Sequence, residues 1–177
     1  DNMKNMIPAW EDGKLKPIDK LEVHRRALRH KAISVFIIVG NKTLVQRRAL
    51  TKYHTPGLWA NACCTHPHWD EEPRDCAARR LKEELGVTTS LDFIYRNQIE
   101  YKADVGNGLV EHELVDIFTL KTDDIKNINI DINFAEVMAV RWVSFKDLKN
   151  DIIKNPADFT PWLRIYLTEH VDQILAK

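Results

Sequence analysis

Residues 32–39 are a nearly continuous run of β-branched and apolar side chains, and this run constrains the fold more than any other segment. A short run of this kind is typical of a central strand in a sheet. The next residues, Gly40, Asn41 and Lys42, predict a turn into a second strand over residues 43–48. The sequence therefore predicts a β-hairpin at the centre of the core.

A helix is predicted over residues 73–86, because Pro73 suits a first helical position and Gly86 is a typical terminating residue. Residues 51–72 are predicted to form a long loop. The other expected elements are strands over 93–102, 109–120 and 137–143, a helix over 145–153 and a last helix that begins at 160–161. Together they predict an α/β (α+β) domain in which a mixed sheet is flanked by helices.

The length and charge of the chain narrow the class of protein. With 177 residues and no linker or repeat, we expect an N-terminal arm over residues 1–20 and a single domain over residues 21–177. The 26 basic and 26 acidic side chains cancel, which argues against a nucleic-acid partner or an anionic membrane surface. No apolar run approaches the roughly 20 residues that span a bilayer. We expect a monomer that acts on a small molecule.

Three cysteines are an odd number. In the absence of a recognisable secretion signal they favour reduced thiols in a cytoplasmic protein. The adjacent Cys63 and Cys64 point in opposite directions if the segment is extended, so at most one of them faces a given pocket. No Cys-x-x-Cys or His-x₃-His pair supplies a structural zinc framework.

Two carboxylates lie side by side on the predicted helix. Arg80, Glu83 and Glu84 occupy positions i, i+3 and i+4, so they share one face. Adjacent carboxylates repel each other unless a cation joins them, and oxygen ligands of this type suit Mg²⁺. The alternative is a solvated acidic face without a ligand.

A second carboxylate pair lies in a predicted strand. Glu111 and Glu113 are two residues apart and point the same way, whereas His112 points the other way. The flanking apolar residues favour burial, and buried paired carboxylates are costly without a metal or a shared proton. The alternative is an exposed edge strand.

Three histidines are candidate partners for these carboxylates. A set that combines His24, His30 and His66 with the glutamates would offer nitrogen and oxygen ligands, which suit Zn²⁺, Mn²⁺ or Fe²⁺ better than Mg²⁺ alone. For each histidine the alternative is an ordinary surface or core residue.

The order and spacing of these residues closely resemble a known family, the type I isopentenyl diphosphate isomerases of the Nudix superfamily. The matching segments are residues 20–24 (KLEVH), 30–34 (HKAIS), 46–49 (QRRA), 61–67 (NACCTHP), 83–86 (EELG), 111–113 (EHE) and 161–162 (PW). The resemblance spans roughly residues 7–170. It implies a Nudix-like α/β/α sandwich and an enzyme of isoprenoid biosynthesis that interconverts isopentenyl and dimethylallyl diphosphate.

The resemblance also implies roles for individual residues. Cys64 and Glu113 look like the catalytic cysteine and glutamate, and Tyr101 looks like a pocket aromatic. One divalent ion, Mn²⁺, Zn²⁺ or Mg²⁺, is implied at His24, His30, His66, Glu111 and Glu113. Glu84 looks like a ligand of a second ion, Mg²⁺, that bridges to the substrate diphosphate. The implied substrate contacts are Lys20, Arg48, Lys52, Arg80 or its neighbour Arg79, and Trp162.

Two positions depart from the general Nudix pattern. Thr65 and Arg80 stand where that pattern has glycine and glutamate. Because Arg80 replaces a metal-binding carboxylate by a cation, it argues against pyrophosphate hydrolysis, and the isomerases show a similar change. A Mg²⁺-dependent Nudix pyrophosphohydrolase is the main alternative. A non-catalytic metal-binding domain is the second, favoured if the five proposed ligands do not converge.

The expected reaction protonates an unactivated alkene and passes through a tertiary carbocation. We expect Glu113, assisted by Tyr101, to supply the proton, and Cys64 to remove one as a thiolate favoured by nearby cations. The reverse assignment is the alternative. Trp162 would stabilise the carbocation through its ring face, unless it serves only as a core anchor of the last helix.

Overall fold

The structure is a computed structural model that describes residues 5–88 and 92–175. Nine strands in these ranges pair into one mixed sheet. The strands are β1 Met6–Glu11, β2 Lys14–Asp19, β3 Arg29–Val39, β4 Lys42–Arg48, β5 Trp59–Asn61, β6 Cys63–Thr65, β7 Ile94–Gly106, β8 Leu109–Thr122 and β9 Val137–Ser144. The helices are α1 Lys20–Arg25, α2 Pro73–Leu85, α3 Phe145–Lys154, α4 Pro161–Glu169 and α5 Val171–Leu175, with short 3-10 turns at Ile125–Asn127 and Pro156–Asp158.

Strand β3 lies at the centre of the sheet, as its apolar sequence predicts. It runs parallel to β8 along its whole length, from Arg29 opposite His112 to Val39 opposite Thr122. It also pairs antiparallel with β4 and β6. The predicted hairpin between β3 and β4 is therefore confirmed.

Helices cover both faces of this strand. On one face Ile33, Val35 and Ile37 share a buried cluster with residues of α2; on the other, Ala32, Phe36 and Ile38 share one with α3, α4 and α5. Each such side chain contributes about 1.5–3 kcal/mol when it is fully buried. The strand is apolar on both faces because each face packs against helices, and the predicted α/β/α layering is confirmed.

The end of α2 explains its glycine. Gly86 has φ 65°, in the left-handed region that closes many helices. A Cβ at this position would lie 2.6 Å from the carbonyl oxygen of Asp131, which is too close for any other residue. The predicted helix over residues 73–86 is confirmed to within one residue.

Four features differ from the expectations. Residues 51–72 contain the three-residue strands β5 and β6, which are too short to show a period and are held by β4 and β3. The expected last helix is interrupted at His170, whose φ of −131° is not helical. Helix α1 was not predicted. Strand β7 continues to Gly106, four residues beyond its expected end at 102, and leaves only two residues before β8 begins at Leu109.

The expected N-terminal arm is ordered as a β-hairpin over residues 6–19. Its strand β1 joins the sheet where Ala9 pairs with His30 of β3. The division of the chain near residue 20 stays a prediction, and residues 1–4 lie outside the described ranges. Among the described residues, no helix has the length and apolar character needed to cross a membrane.

Candidate active site

The predicted site residues converge on one cavity of about 160 Å³. Those that line it are Lys20, Arg48, Lys52, Cys64, His66, Arg80, Glu84, Glu111, Glu113 and Trp162. The other three, His24, His30 and Tyr101, are buried and contact or approach the two glutamates. The structure therefore joins residues that are up to 142 positions apart in the sequence.

The register of the sheet places Glu113 between two of its partners. Glu113 of β8 lies opposite His30 of β3 and opposite Tyr101 of β7. His30 Nε2 is 3.2 Å from Glu113 Oε2. The Tyr101 hydroxyl oxygen is 2.7 Å from both Glu113 Oε1 and Glu111 Oε2, and its single hydrogen goes to one of these two oxygens at a time. The carboxylates share a buried face, as the two-residue spacing predicts.

His112, between the two glutamates in sequence, points the other way. Its Nε2 lies 3.4 Å from Glu100 Oε2, a carboxylate that is half exposed. Strand β8 pairs with both β3 and β7 at His112 and Glu113, so the exposed edge strand that was the alternative for this segment is not found.

Two histidines present nitrogen lone pairs to the carboxylates. His24 Nδ1 lies 2.7 Å from the Lys20 carbonyl oxygen and His30 Nδ1 lies 2.8 Å from that of Leu28. A carbonyl only accepts, so each Nδ1 carries the hydrogen and leaves Nε2 available as a ligand. His24 Nε2 is buried and has no hydrogen-bond partner within residues 5–88 and 92–175.

These donors fit a divalent cation. The ligand atoms of His24, His30, His66 and Glu113 all lie within 4.8 Å of one another. His66 Nε2 is 2.9 Å from Glu113 Oε2. Three imidazoles and a carboxylate at this separation are a mixed nitrogen and oxygen set, and a cation bound among them would give the unpartnered His24 nitrogen a partner.

The charge states of the histidines agree with this interpretation. Burial, followed by the charge of His24, lowers the pKa of His30 to about 4. Burial also lowers the pKa of His66 well below its usual range, and the charges of His30 and His24 add to the effect. Both rings are therefore neutral near pH 7, as ligation requires.

The pKa values of the two buried carboxyls shift in opposite directions. Burial and the charge of Glu111 raise the pKa of Glu113 well above its usual range. Burial alone would raise the pKa of Glu111 too, but the imidazoles of His24 and His54 outweigh it and hold that pKa well below the usual range. Of the two carboxyls, Glu113 is therefore the one that keeps its proton to higher pH in the metal-free protein.

His54 is a site residue that the sequence analysis did not identify. Its Nε2 lies 2.8 Å from Glu111 Oε1, and its ligand atom, that of His24 and that of Glu111 lie within 4.8 Å of one another. Glu111 thus groups with His24 and His54 rather than with the other predicted ligands. The sequence offered one indication of its role: His54 lies two residues after Lys52, which is a proposed substrate contact.

Cys64 lines the cavity and is positioned by Ser34 and Tyr166. Cys64 of β6 lies opposite Ser34 of β3 in the register. The Ser34 hydroxyl is 2.9 Å from both Cys64 Sγ and the Tyr166 hydroxyl. Neither Ser34 nor Tyr166 was predicted, because each contact joins distant parts of the chain.

The Cys64 thiol is neutral in the metal-free protein. Burial, followed by the charges of Glu113 and Glu111, raises its pKa well above the usual range. The expectation that nearby cations favour a thiolate is therefore wrong for this state, since carboxylates dominate among the charges that act on the thiol. Cys63 points the other way, as predicted, and donates to Glu84 Oε2 at 3.3 Å.

Helix α2 contributes one buried carboxylate and one exposed one. Glu84 is 4% exposed and also accepts a hydrogen bond from Gln46 at 3.3 Å. Arg80 lies 2.7 Å from Glu83 and 3.4 Å from Glu84. The alternative of a solvated acidic face therefore applies to Glu83 alone, whereas Glu84 faces the cavity.

Five basic side chains line the cavity: Lys20, Arg48, Lys52, Arg79 and Arg80. Arg80 and Lys52 both contact Glu136, at 3.5 Å and 2.6 Å. Burial, followed by the charges of Lys52 and Arg80, lowers the pKa of Lys20. Such a concentration of positive charge in a chain of zero net charge fits a small polyanion.

Arg79 and Arg80 have different surroundings. Arg79 donates two hydrogen bonds to Glu71, at 2.7 and 2.9 Å, which tie α2 to the preceding loop. Among the described side chains, none accepts two hydrogen bonds from Arg80 in this way. Arg80 instead shares a contact with Glu136, a carboxylate that Lys52 also contacts. Arg80 is therefore the better placed of the two for a ligand.

Trp162 is both a core residue and part of the cavity wall. It is 1% exposed and belongs to the core that α4 forms with the sheet. The Arg48 guanidinium lies 5.2 Å from its ring centroid. The two alternatives for Trp162 are thus compatible with each other.

The fold defines the class of protein. A family model described as NUDIX domain matches residues 28–163. A solved structure from Deinococcus radiodurans has a TM-score of 0.71 at 14% identity, over 92% of this chain and 96% of that one. The MutT protein from Methanosarcina mazei Go1 has a TM-score of 0.61 at 16% identity, over 84% and 96%. At these identities the structures show the fold alone.

Sequence relatives identify the family within that class. A protein of Dinoroseobacter shibae named isopentenyl-diphosphate Delta-isomerase is 57% identical over 97% of this chain and 96% of its own length. One of Cereibacter sphaeroides with the same name is 55% identical over 99% and 97%. The chain belongs to the isopentenyl-diphosphate Delta-isomerase family. The family and enzyme class expected from the sequence are confirmed, and the hydrolase alternative is disfavoured.

Proposed function

We propose that this protein interconverts isopentenyl diphosphate and dimethylallyl diphosphate, with Cys64 and Glu113 as the two proton-transfer groups. One observation carries the proposal: a single cavity is lined by the Cys64 thiol and the Glu113 carboxyl, with five basic side chains around it. The basic side chains suit the diphosphate, and the thiol and the carboxyl suit the proton transfers at the short alkene that is attached to it.

The reaction forms one C–H bond and breaks another. Protonation of the terminal alkene carbon gives a tertiary carbocation, and loss of a proton from the adjacent carbon gives the isomeric alkene. Because the reaction is reversible, each group is an acid in one direction and a base in the other. In the forward direction we assign the proton donor to Glu113 and the acceptor to Cys64.

Tyr101 supports this assignment to Glu113. Its hydroxyl oxygen lies 2.7 Å from Glu113 Oε1, and after Glu113 has given up its proton the hydroxyl would donate its hydrogen to that carboxylate and stabilise it. The neutral thiol of Cys64 in the metal-free state fits the acid required in the reverse direction. Trp162 in the cavity wall provides a ring face for the carbocation, worth about 2 kcal/mol or more when desolvated.

Two divalent ions belong to the proposal. His24, His30, His66, Glu111 and Glu113 would hold one, which we assign as Mn²⁺, Zn²⁺ or Mg²⁺. When bound, this ion neutralises the carboxylate pair and tunes the acidity of Glu113. Glu84 would hold Mg²⁺ against the diphosphate.

Basic residues complete the diphosphate site. We assign Lys20, Arg48, Lys52 and Arg80 to the diphosphate, where binding far from the reacting carbons fixes the alkyl group in place. We infer a place in isoprenoid biosynthesis from the reaction itself. A monomeric state and a cytoplasmic location stay predictions.

Proton NMR in D₂O tests the proposal directly. The purified protein is incubated with isopentenyl diphosphate, Mg²⁺ and Mn²⁺. Dimethylallyl diphosphate that carries solvent deuterium is the expected product, and its formation should be lost in Cys64→Ser and Glu113→Gln. Released phosphate or pyrophosphate would instead support a hydrolase, and unchanged substrate would contradict the proposal.

A further inference from the structure

His54 occupies a position that the proposed reaction does not yet use. It lies in the loop between β4 and β5 and is 2% exposed. Its Nε2 is 2.8 Å from Glu111 Oε1, and its Nδ1 is 2.8 Å from the Thr55 hydroxyl oxygen. Both ring nitrogens therefore have partners, and the ring connects the loop to a proposed metal ligand.

The direction of the contact with Glu111 follows from donor chemistry. An ionised carboxylate only accepts hydrogen bonds, so His54 Nε2 carries the hydrogen. That nitrogen then has no lone pair for a metal. The contact is a hydrogen bond from a ring to a carboxylate, which is the arrangement that orients metal ligands in many sites.

The ring is held in a single position. The Arg48 side chain donates to the His54 backbone carbonyl at 3.2 Å. Thr55 has φ 47°, a conformation that is rare for a β-branched residue, and it directs its hydroxyl to the ring. The edge of the ring contacts Trp162, with 5.7 Å between the centroids.

The two oxygens of Glu111 have separate hydrogen-bond donors. Oε2 accepts from Tyr101 at 2.7 Å and Oε1 accepts from His54 at 2.8 Å. The unpartnered Nε2 of His24 lies 3.8 Å from Oε1. Tyr101 and His54 together therefore restrain the carboxylate beside the lone pair that a cation would use.

We propose that His54 is a positioning residue of the metal site, which orients the Glu111 carboxylate through Nε2–H and is itself oriented by the Thr55 hydroxyl. This inference rests on the proposed function, in which Glu111 is a metal ligand. Direct ligation by His54 is the competing role, because its ligand atom also lies within 4.8 Å of those of His24 and Glu111.

Mn²⁺ binding by the full chain separates the two roles. The protein is depleted of metal and titrated with Mn²⁺ alone, without substrate, and free Mn²⁺ is followed by electron paramagnetic resonance. His54→Leu removes the donor and should weaken Mn²⁺ binding by about 10–100-fold. His54→Gln keeps an amide N–H that can reach Glu111, and should stay within about threefold of the native affinity.

Thr55 provides a second pair of variants. Thr55→Val removes the hydroxyl while it keeps the shape, and should weaken Mn²⁺ binding several-fold. Thr55→Ser keeps the hydroxyl and should bind like the native chain. His112→Leu is the matched histidine control, since His112 neighbours Glu111 in sequence but faces Glu100. Thermal unfolding in EDTA checks that each variant is folded before titration.

Each outcome supports or overturns the role of His54. Equal losses in His54→Leu and His54→Gln would overturn it in favour of direct ligation, and native affinity in His54→Leu would overturn it outright. Glu111→Gln tests the metal site of the proposed function independently of His54. If Glu111→Gln loses Mn²⁺ binding and His54→Leu does not, only the role of His54 is overturned. Tight binding by Glu111→Gln would defeat both. If His54→Leu does not fold, Thr55→Val and Thr55→Ser decide the question, and equal affinities in that pair would overturn the positioning role.

Discussion

Two regions of the cavity are built in different ways. The metal cluster, defined as His24, His30, His66, Glu111 and Glu113, is almost entirely removed from solvent. The cationic mouth, defined as Lys20, Lys52, Arg80, Glu84 and Glu136, carries side chains such as Lys52 and Arg80 that are 18% and 17% exposed. The metal cluster is buried and its side chains are short. The cationic mouth is partly exposed to solvent, and its charges lie at the ends of long, flexible side chains.

The difference follows from the secondary-structure elements that carry the side chains. In the metal cluster, His30 and Glu113 are direct neighbours in a strand ladder, so backbone hydrogen bonds set their distance. In the cationic mouth, Lys52 comes from a loop and Arg80 from α2, and flexible stems bring their charges together. Proton transfer requires precise positions, whereas a diphosphate can be held by charges that adjust to it. Changes in the metal cluster should therefore affect turnover, and changes in the mouth should affect substrate binding.

The largest expected effect is on Cys64. Cys64→Ser should lower kcat by about 10³-fold or more with little change in KM, because a serine hydroxyl is a much poorer proton-transfer group. Steady-state kinetics on isopentenyl diphosphate measure this. Cys63→Ser is the matched control and should be mild, since serine can still donate to Glu84. Near-native turnover in Cys64→Ser would remove this residue from the mechanism.

The stability of the metal-free protein should depend on pH through the metal cluster. The pKa of His30 is about 4 in the folded protein and 6.5 in the unfolded chain, so between these values the unfolded chain binds more protons. The stabilisation is complete above pH 6.5 and is lost as the pH falls to 4. At about 1.4 kcal/mol per pH unit it amounts to about 3 kcal/mol.

Urea unfolding in EDTA at several pH values measures that slope. His30→Gln should show a shallower slope than the native chain over the same interval. Glu113, whose pKa is raised in the folded protein, gives a slope of the opposite sign in this interval, so the test is the difference between the native chain and His30→Gln. Equal slopes in the two proteins would show that His30 accepts a proton without cost, contrary to its burial.

Substitutions in the cationic mouth should raise the KM for the substrate. Glu84→Gln should raise the KM for isopentenyl diphosphate by about 10–100-fold and change kcat by only a few-fold, because it removes a charged ligand of the diphosphate-bound Mg²⁺. Glu83→Gln, one residue away and exposed, is the control and should have little effect. Lost turnover with unchanged KM would place Glu84 in the chemistry instead.

The smallest effect is expected for Lys52. Lys52→Met should raise KM by up to about tenfold, since a partly exposed charge contributes on the order of 1 kcal/mol or less. The effect should shrink as salt is added, because salt screens the remaining charges. Lys149→Met, on the exposed side of α3, is the matched control. A tenfold loss in kcat for Lys52→Met would contradict the assignment of the mouth to substrate binding rather than to turnover.

The sequence predicted what is periodic or local. Two-residue spacing predicted that Glu111 and Glu113 share a face, and Gly86 predicted the end of α2. The resemblance to the isomerases selected His24, His30 and His66 from seven histidines, which spacing alone could not do.

The sequence did not predict contacts that depend on pairing between distant strands. Ser34 and Tyr166 reach Cys64 only because β3 pairs with β6 and α4 packs over β3. His54 lies in a loop without a period, and its role depends on a single ring contacting Glu111. Strands β5 and β6 were hidden for the same reason: three residues are too few to show alternation.

The arrangement of the two regions around one substrate is best tested by diffraction from crystals of Cys64→Ser grown with Mn²⁺ and isopentenyl diphosphate. We predict an anomalous Mn²⁺ peak among His24, His30, His66, Glu111 and Glu113, with both phosphorus atoms at the mouth beside Lys52, Arg80 and Glu84. Phosphate density among the histidines, or a histidine cluster without metal, would contradict the division of the cavity into a proton-transfer region and a diphosphate region.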